Sequence, residues 1–294
     1  MPLLNTSMQG KVCLITGANS GIGKATALGL AQMGATVVMV CRDRARGEEA
    51  QREMKTKSGN DAVDLLIADL SSQQSIRQLA DSFRQRYLHL HVLINNAGAG
   101  FTQRQESVDG LEMTFAVNYL APFLLTNLLL DVLKNSAPTR IINIASDNHR
   151  FVRFDMQDLQ LKRHYGFLRA YGRSKLALLL FTYELARQLQ GTGITVNALE
   201  PGPTSTTFGQ KGAGPAARML LKFVSSLFRS PEKGAQTSLY LASSPEVETF
   251  TGKYFVKSAP RRSSALSYNE ELQRQLWEES ARLVKLPAKI QAYR

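Results

Sequence analysis

Tyr171 and Lys175 stand four residues apart, so one helical turn puts both side chains on the same face. A tyrosine exchanges protons poorly near neutrality, because its ordinary pKa is about 10. An ammonium beside it favours the tyrosinate and lowers that value toward working pH, which makes the pair an acid–base couple. The same lysine can also donate to a ribose hydroxyl. Ser146 follows the apolar run 140–145, and its hydroxyl can hold a carbonyl or alcohol oxygen against the tyrosine. Each feature alone has an ordinary explanation: a Tyr-x-x-x-Lys pair usually marks a solvated helix face, and Tyr165 and Tyr183 show how common tyrosine is nearby. Their meaning depends on what else the chain carries.

It carries a phosphate-binding loop. The apolar run Val12–Thr16 is followed by Gly17-Ala18-Asn19-Ser20-Gly21-Ile22-Gly23 and then by a helix-length segment. Glycines between a strand and a helix let backbone approach a pyrophosphate, and the helix N-terminus adds free N–H groups and the positive end of a dipole. The spacing is G-x-x-x-G-x-G rather than the dinucleotide fingerprint G-x-G-x-x-G. In an NAD site the second strand usually ends in an acid for the ribose 2′-hydroxyl, about 20 residues on. Cys41 stands there, followed by Arg42. With no acid to repel a 2′-phosphate and a guanidinium to bind it, the pattern favours NADP(H) over NAD(H). Asp43 is expected to face solvent or open the next helix.

The elements that position these residues read as an alternation. Strands are expected at 12–16, 36–41, 63–68, 92–95, 140–145, 194–199 and 253–256, all near-continuous apolar runs of the kind buried on both faces. Helix-length segments lie at 22–33, 45–57, 75–86, 111–134 and 171–189. The expectation is an α/β protein: a single doubly wound Rossmann domain, with a seven-stranded, mostly parallel sheet and helices on both faces. Around it are an extension at 1–10, an insertion at 203–230 and a tail at 260–294 with a helix near 268–286. Helices 111–134 and 171–189 are apolar around much of their surface, so core or a partner must cover them.

Composition bounds the rest. With 44% hydrophobic and 20% charged residues the chain is not disordered, and at this length it needs no disulfide or metal staple. Two cysteines, Cys13 and Cys41, make no disulfide framework or four-cysteine zinc site, and no metal is expected. The net charge of +12 favours anionic partners, but no arginine-rich arm or zinc-knuckle spacing points to nucleic acid. Residues 1–10 do not read as a signal peptide. The uncharged run 113–130 contains Asn118, Pro122 and Asn127 and reads as a buried helix rather than a membrane span. The expected location is cytoplasmic. Segment 216–229 is amphipathic, with Met219, Leu220, Phe223, Val224, Leu227 and Phe228 opposite Arg218, Lys222 and Arg229, so peripheral contact with an anionic membrane is open to it.

Taken together, Thr16 to Gly23, Asn95-Asn96-Ala97-Gly98, Asn118, Ser146, Tyr171-Gly172-Arg173-Ser174-Lys175 and Pro201-Gly202 resemble the short-chain dehydrogenase/reductase family over about residues 10–260. Within it, Val40-Cys41-Arg42-Asp43, the runs 89–98 and 135–146, Gly234 to Ser238 and the 25 residues from Ser146 to Tyr171 (171 − 146) are similar to the retinol dehydrogenase-like branch. The resemblance implies a catalytic set of Asn118, Ser146, Tyr171 and Lys175, in which Asn118 supports a water-linked proton relay with the lysine. It implies cofactor contacts from Gly17, Asn19, Ser20, Gly21, Ile22, Gly23, Arg42, Asp69, Leu70, Asn95, Ala97, Gly98, Tyr171, Lys175, Pro201, Gly202, Thr204 and Thr206. It also implies that 203–230 lids a pocket for an apolar aldehyde, ketone or alcohol of the retinoid, steroid or fatty class, and that helices 111–134 and 171–189 pair in a homodimer or homotetramer. Two departures stand out: the chain starts close to its first strand, and Pro203 to Phe208 differ from the branch's usual residues. The competing reading is a catalytically silent NADP(H)-binding regulator of the same fold, against which the intact catalytic set argues.

Overall fold

The computed structural model describes residues 6–202 and 230–287. Alternation of strand and helix produces β1 (Val12–Thr16), α1 (Gly21–Gln32), β2 (Thr36–Cys41), α2 (Arg44–Ser58), β3 (Val63–Ile67), α3 (Gln73–Arg86) and β4 (Val92–Asn95). The second half adds α4 (Met113–Phe115), α5 (Ala121–Leu128), α6 (Leu130–Asn135), β5 (Thr139–Ile144), α7 (Phe167–Gln188), β6 (Ile194–Glu200), α8 (Pro231–Ser243), β7 (Lys253–Val256), β8 (Ala259–Arg261) and α9 (Glu270–Leu283). The strand order is β3-β2-β1-β4-β5-β6-β7-β8. It reverses direction of growth between β1 and β4, the crevice where doubly wound sheets take ligands. Every pairing from β3 to β7 is parallel.

The sheet has eight strands rather than seven. β8 pairs antiparallel to β7 through a turn in which Lys257 and Ser258 both take positive φ. Three residues with a central proline give little strand signal. Pro260 is tolerated because it lies on the sheet edge, where its missing N–H has no ladder to serve.

Segment 111–134 is not one continuous helix. A π-turn at Ala116–Leu120 separates α4 from α5, and α6 follows as a further piece. Pro122 supplies a cause: it has no N–H for the carbonyl of Asn118 four residues earlier, and its ring crowds that carbonyl. The helix widens there and places Asn118 in the widened turn. Helix α8 lies outside the sequence expectations, although Ser230 caps it through the Lys233 N–H and Pro231 opens it, a recognisable start signal.

Two apolar layers flank the sheet. On one, α9 lies against α5 and α7. Trp277 is 3% exposed, with its ring 4.9 Å from Phe123 and 5.8 Å from Phe181. The Tyr119 and Ser280 hydroxyls bond at 2.6 Å. The apolar face of the long helices is thus covered by the chain's own C-terminal helix. Among the described residues, no helix is long and apolar enough to cross a membrane.

Candidate functional site

Both halves of the site lie at the carboxyl edge of the sheet. In the first, Gly17 leaves β1 with φ +68, and its N–H donates to the Val40 carbonyl at 2.8 Å. A Cβ at Gly23 would fall 2.3 Å from the Gly17 carbonyl oxygen, so only glycine lets α1 start this close to the turn. Ser20 caps α1 in extended conformation, its side chain makes no capping bond, and the first turn has no acidic residue. The helix therefore presents N–H groups and an exposed hydroxyl with nothing to repel an anion, which fits a pyrophosphate. Asn19, Gly21 and Ile22 belong to the same turn.

Asn96 ties this loop to β4, a role sequence reasoning missed by settling on its neighbours. Its side chain donates to the Thr16 carbonyl at 2.7 Å, while the Thr16 hydroxyl accepts the N–H groups of Asn96 and Ala97, both at 3.0 Å. Asn95 points the other way. It is 2% exposed and donates to Thr126 and Asn143 at 3.1 and 2.8 Å, bracing β4 against β5 and α5. Leu70, Asn95 and Ala97 line one narrow crevice with Thr16.

Arg42 is exposed at the end of β2. The adjacent acid is occupied: Asp43 caps α2 by accepting the Arg46 N–H at 3.1 Å. Asp69 closes a turn, accepting the Ser71 N–H and hydroxyl at 2.9 and 2.7 Å, and Ser72 is the cap of α3.

In the second half, β5 delivers Ser146 and α7 delivers Tyr171 and Lys175. The Ser146 hydroxyl hydrogen-bonds the Tyr171 phenol. Lys175 is 3% exposed. Its ammonium donates to the Ile144 carbonyl at 2.7 Å and lies 5.6 Å from the Tyr171 ring centroid. Burial pulls Lys175 down to about 8. The phenol is not lowered: burial pushes Tyr171 up to about 12, against the Ser146 hydrogen bond and together with the negative charge of Glu200. The ammonium is tethered to the Ile144 carbonyl and lies over the tyrosine ring.

Asn118 is wholly buried. It clamps Ala99 through both backbone groups, at 2.7 and 2.9 Å, and donates to the Ser174 hydroxyl at 3.0 Å. Ser174 in turn donates to the Tyr171 carbonyl at 2.7 Å. A Cβ at Gly98 would lie 3.6 Å from both the Asn118 oxygen and the Lys175 nitrogen. Gly98 therefore joins the two halves of the site. Past β6, Gly202 takes φ +82, and a cavity of about 360 Å³ opens among Asp147, Glu200, Pro201, Gly202, Lys233 and Lys257. Thr204, Thr206 and the expected lid at 203–230, apart from Ser230, lie outside the described residues, as does 216–229.

The short chain dehydrogenase family model matches residues 11–214. This chain belongs to the short-chain dehydrogenase family. It is 44% identical to human retinol dehydrogenase 14 over 294 residues, covering 95% of this chain and 88% of that protein. It is 39% identical to human polyprenol dehydrogenase over 280 residues, covering 93% and 84%. These relatives put this dehydrogenase in the retinol dehydrogenase-like branch, as an oxidoreductase of alcohol and carbonyl groups. A solved structure of an uncharacterised protein from Mycobacterium paratuberculosis matches with TM-score 0.78 and 31% identity over 97% of this chain and 98% of that one. The RhlG/NADP active-site complex of Pseudomonas aeruginosa matches with TM-score 0.68 and 28% identity, over 87% and 96%.

Proposed function

We propose that this dehydrogenase moves a hydride between NADP(H) and an apolar aldehyde or ketone, or the corresponding alcohol, of the retinoid, steroid or fatty class. The observation that carries the reading is the hydrogen-bonded Ser146–Tyr171 pair with a buried ammonium over the tyrosine ring, set beside the glycine cradle through Gly98. When bound, the nicotinamide supplies the hydride in reduction and takes it in oxidation. In reduction, Ser146 orients the substrate oxygen and Tyr171 donates its proton to that oxygen, leaving a tyrosinate that Lys175 stabilises. Asn118, through Ser174, fixes the turn of α7 that carries the tyrosine. A phenol held protonated by burial carries the proton that the reductive direction needs. Gly17, Gly23 and Ser20 would hold the pyrophosphate, and Arg42 the 2′-phosphate.

Three observations support the finer points. Arg42 is exposed at the end of a strand without an acid, and Asp43 is engaged elsewhere. A structural relative is described as an NADP complex. The relatives' names, retinol and polyprenol dehydrogenase, describe apolar alcohols. Because α9 covers the apolar face of α5 and α7, no second copy is needed there.

The test is oxidation of NADPH against NADH with a panel of apolar aldehydes and ketones, in wild type and Tyr171→Phe. The expected result is NADPH preference and a loss of about 10²–10⁴-fold in kcat for the variant. Preference for NADH would overturn the role given to Arg42. NADPH binding without turnover of any carbonyl would make the chain a cofactor-sensing protein instead.

A further inference from the structure

His149 lies three residues after Ser146 and is completely buried. Its Nδ1 is 2.7 Å from the Ser146 carbonyl oxygen, and its Nε2 is 3.0 Å from the Ser264 backbone nitrogen. Neither partner can exchange roles. A carbonyl oxygen only accepts and a backbone N–H only donates. The ring must therefore carry its proton on Nδ1 and leave Nε2 bare, which fixes both the tautomer and neutrality. The His149 backbone N–H also donates to the Ser146 carbonyl, at 3.2 Å, so one residue holds that oxygen twice. Tyr254 packs its ring edge-on at 5.3 Å and donates its hydroxyl to Asp147 at 3.0 Å, which fixes the residue directly after the serine.

We propose that His149 is a positioning residue: a neutral imidazole clamp that ties the Ser146 backbone to the segment around Ser264 and so aims the serine hydroxyl at Tyr171. The clamp rests on the catalytic reading of Ser146 given above. Ser146 has extended φ and ψ of −167 and 148 and caps the short turn Asp147–Phe151, so its carbonyl accepts the His149 N–H at 3.2 Å and is held more closely by the imidazole, at 2.7 Å. Without the imidazole, rotation of that peptide swings the hydroxyl away from the phenol. Misplacement of about 1 Å costs as much as 10²-fold in rate. The cradle for the cofactor lies on other elements, so its affinity should not change.

The experiment is steady-state kinetics with NADPH and decanal, alongside NADPH titration and thermal melts. Four variants are compared with wild type: His149→Leu, His149→Asn, Ser264→Pro and Ser146→Ala. His149→Leu should lose about 10²-fold in kcat with KM for NADPH unchanged. His149→Asn should recover part of that loss, because its amide can donate from near the Nδ1 position. Ser264 has φ −66, which proline accepts, and its hydroxyl makes no hydrogen bond, so Ser264→Pro breaks the one N–H bond to the imidazole and should slow turnover less than His149→Leu. Nitrogen-15 spectra of labelled histidine should show one ring with protonated Nδ1 and bare Nε2, and Ser264→Pro should shift the bare nitrogen's signal.

Wild-type kcat in a folded His149→Leu protein would overturn the clamp. So would equal kcat in the Asn and Leu variants with losses that follow their melting temperatures, since the residue would then be structural. If His149→Leu does not fold, the Asn and Pro variants carry the test. Full activity in Ser146→Ala would instead refute the role of the serine itself. A slow Ser146→Ala beside a normal His149→Leu would leave that role standing and remove only the clamp.

Discussion

The two halves of the site are built by different means. The cofactor half is made from backbone. Gly17, Ser20 and Gly23 lie in one continuous turn, and its shape follows from positive φ and from the absence of a Cβ. The catalytic half is made from side chains, brought together from a widened helical turn, a strand end and a helix, then held by groups far along the chain. Backbone cradles are specified locally. Side-chain constellations need supports that sequence neighbours do not reveal.

This contrast can be broken from either side. The largest effect should come from behind the catalytic half. Trp277→Ala empties a packed aromatic cluster and should cost about 3–5 kcal/mol of stability, read by denaturant unfolding. Hydrogen exchange should rise in α5 and α7 while α1 and β2 keep their protection. Uniform loss across the sheet would show that the halves are not separate.

Gly23→Ala works from the other side. Its methyl group must displace the Gly17 carbonyl, and overpacking of this kind costs about 1–3 kcal/mol. NADPH affinity should fall by at least tenfold, while the nitrogen-15 signals of the His149 ring stay as in wild type. An alanine variant with normal affinity would mean that the cradle tolerates the contact and does not hold the pyrophosphate. Arg42→Ala should be of similar size but selective between the two cofactors. A hydrogen bond to a charged group is worth about 1.5–3 kcal/mol, so NADPH affinity should drop by roughly ten- to a hundredfold while NADH affinity stays the same. Equal weakening of both cofactors would remove the 2′-phosphate contact.

The smallest effect concerns pH. Burial holds His149 and His91 below the ordinary histidine value of 6.5. Both are neutral in the folded protein, whereas the unfolded chain takes up protons as pH falls through about 6.5. Stability should therefore be fully present above that value and decline below it. Melting temperatures measured from about pH 7.5 down to about 5.5 should fall progressively. A flat profile would refute the buried neutral state of His149.

The same division explains what could be read from sequence. The strands of the first half, the glycine loop and the missing acid at Cys41 are local patterns, and each stands where expected. Tyr171 and Lys175 share a face of α7 as their spacing requires. The break in 111–134 was legible in Pro122, but its consequence, a π-turn around Asn118, depends on how the helix relieves the lost bond. Asn95 and Asn96 are adjacent and chemically identical, and only the pleat decides that one braces the sheet and the other the loop. β8 was hidden by its three residues and its proline. The high proton affinity of Tyr171 arises from burial and from Glu200, 29 residues away in the chain (200 − 171), which helical spacing alone cannot report.

The supports of the catalytic half also have an order in time. Tyr119 meets Ser280 across 161 residues, and His149 meets Ser264 across 115. A chain growing on the ribosome can lay down the glycine turn and its strands early. It cannot secure the serine or the widened turn until residues 264–280 have left the exit tunnel. The last supports of the serine and of the widened turn are therefore made only after all eight strands of the sheet.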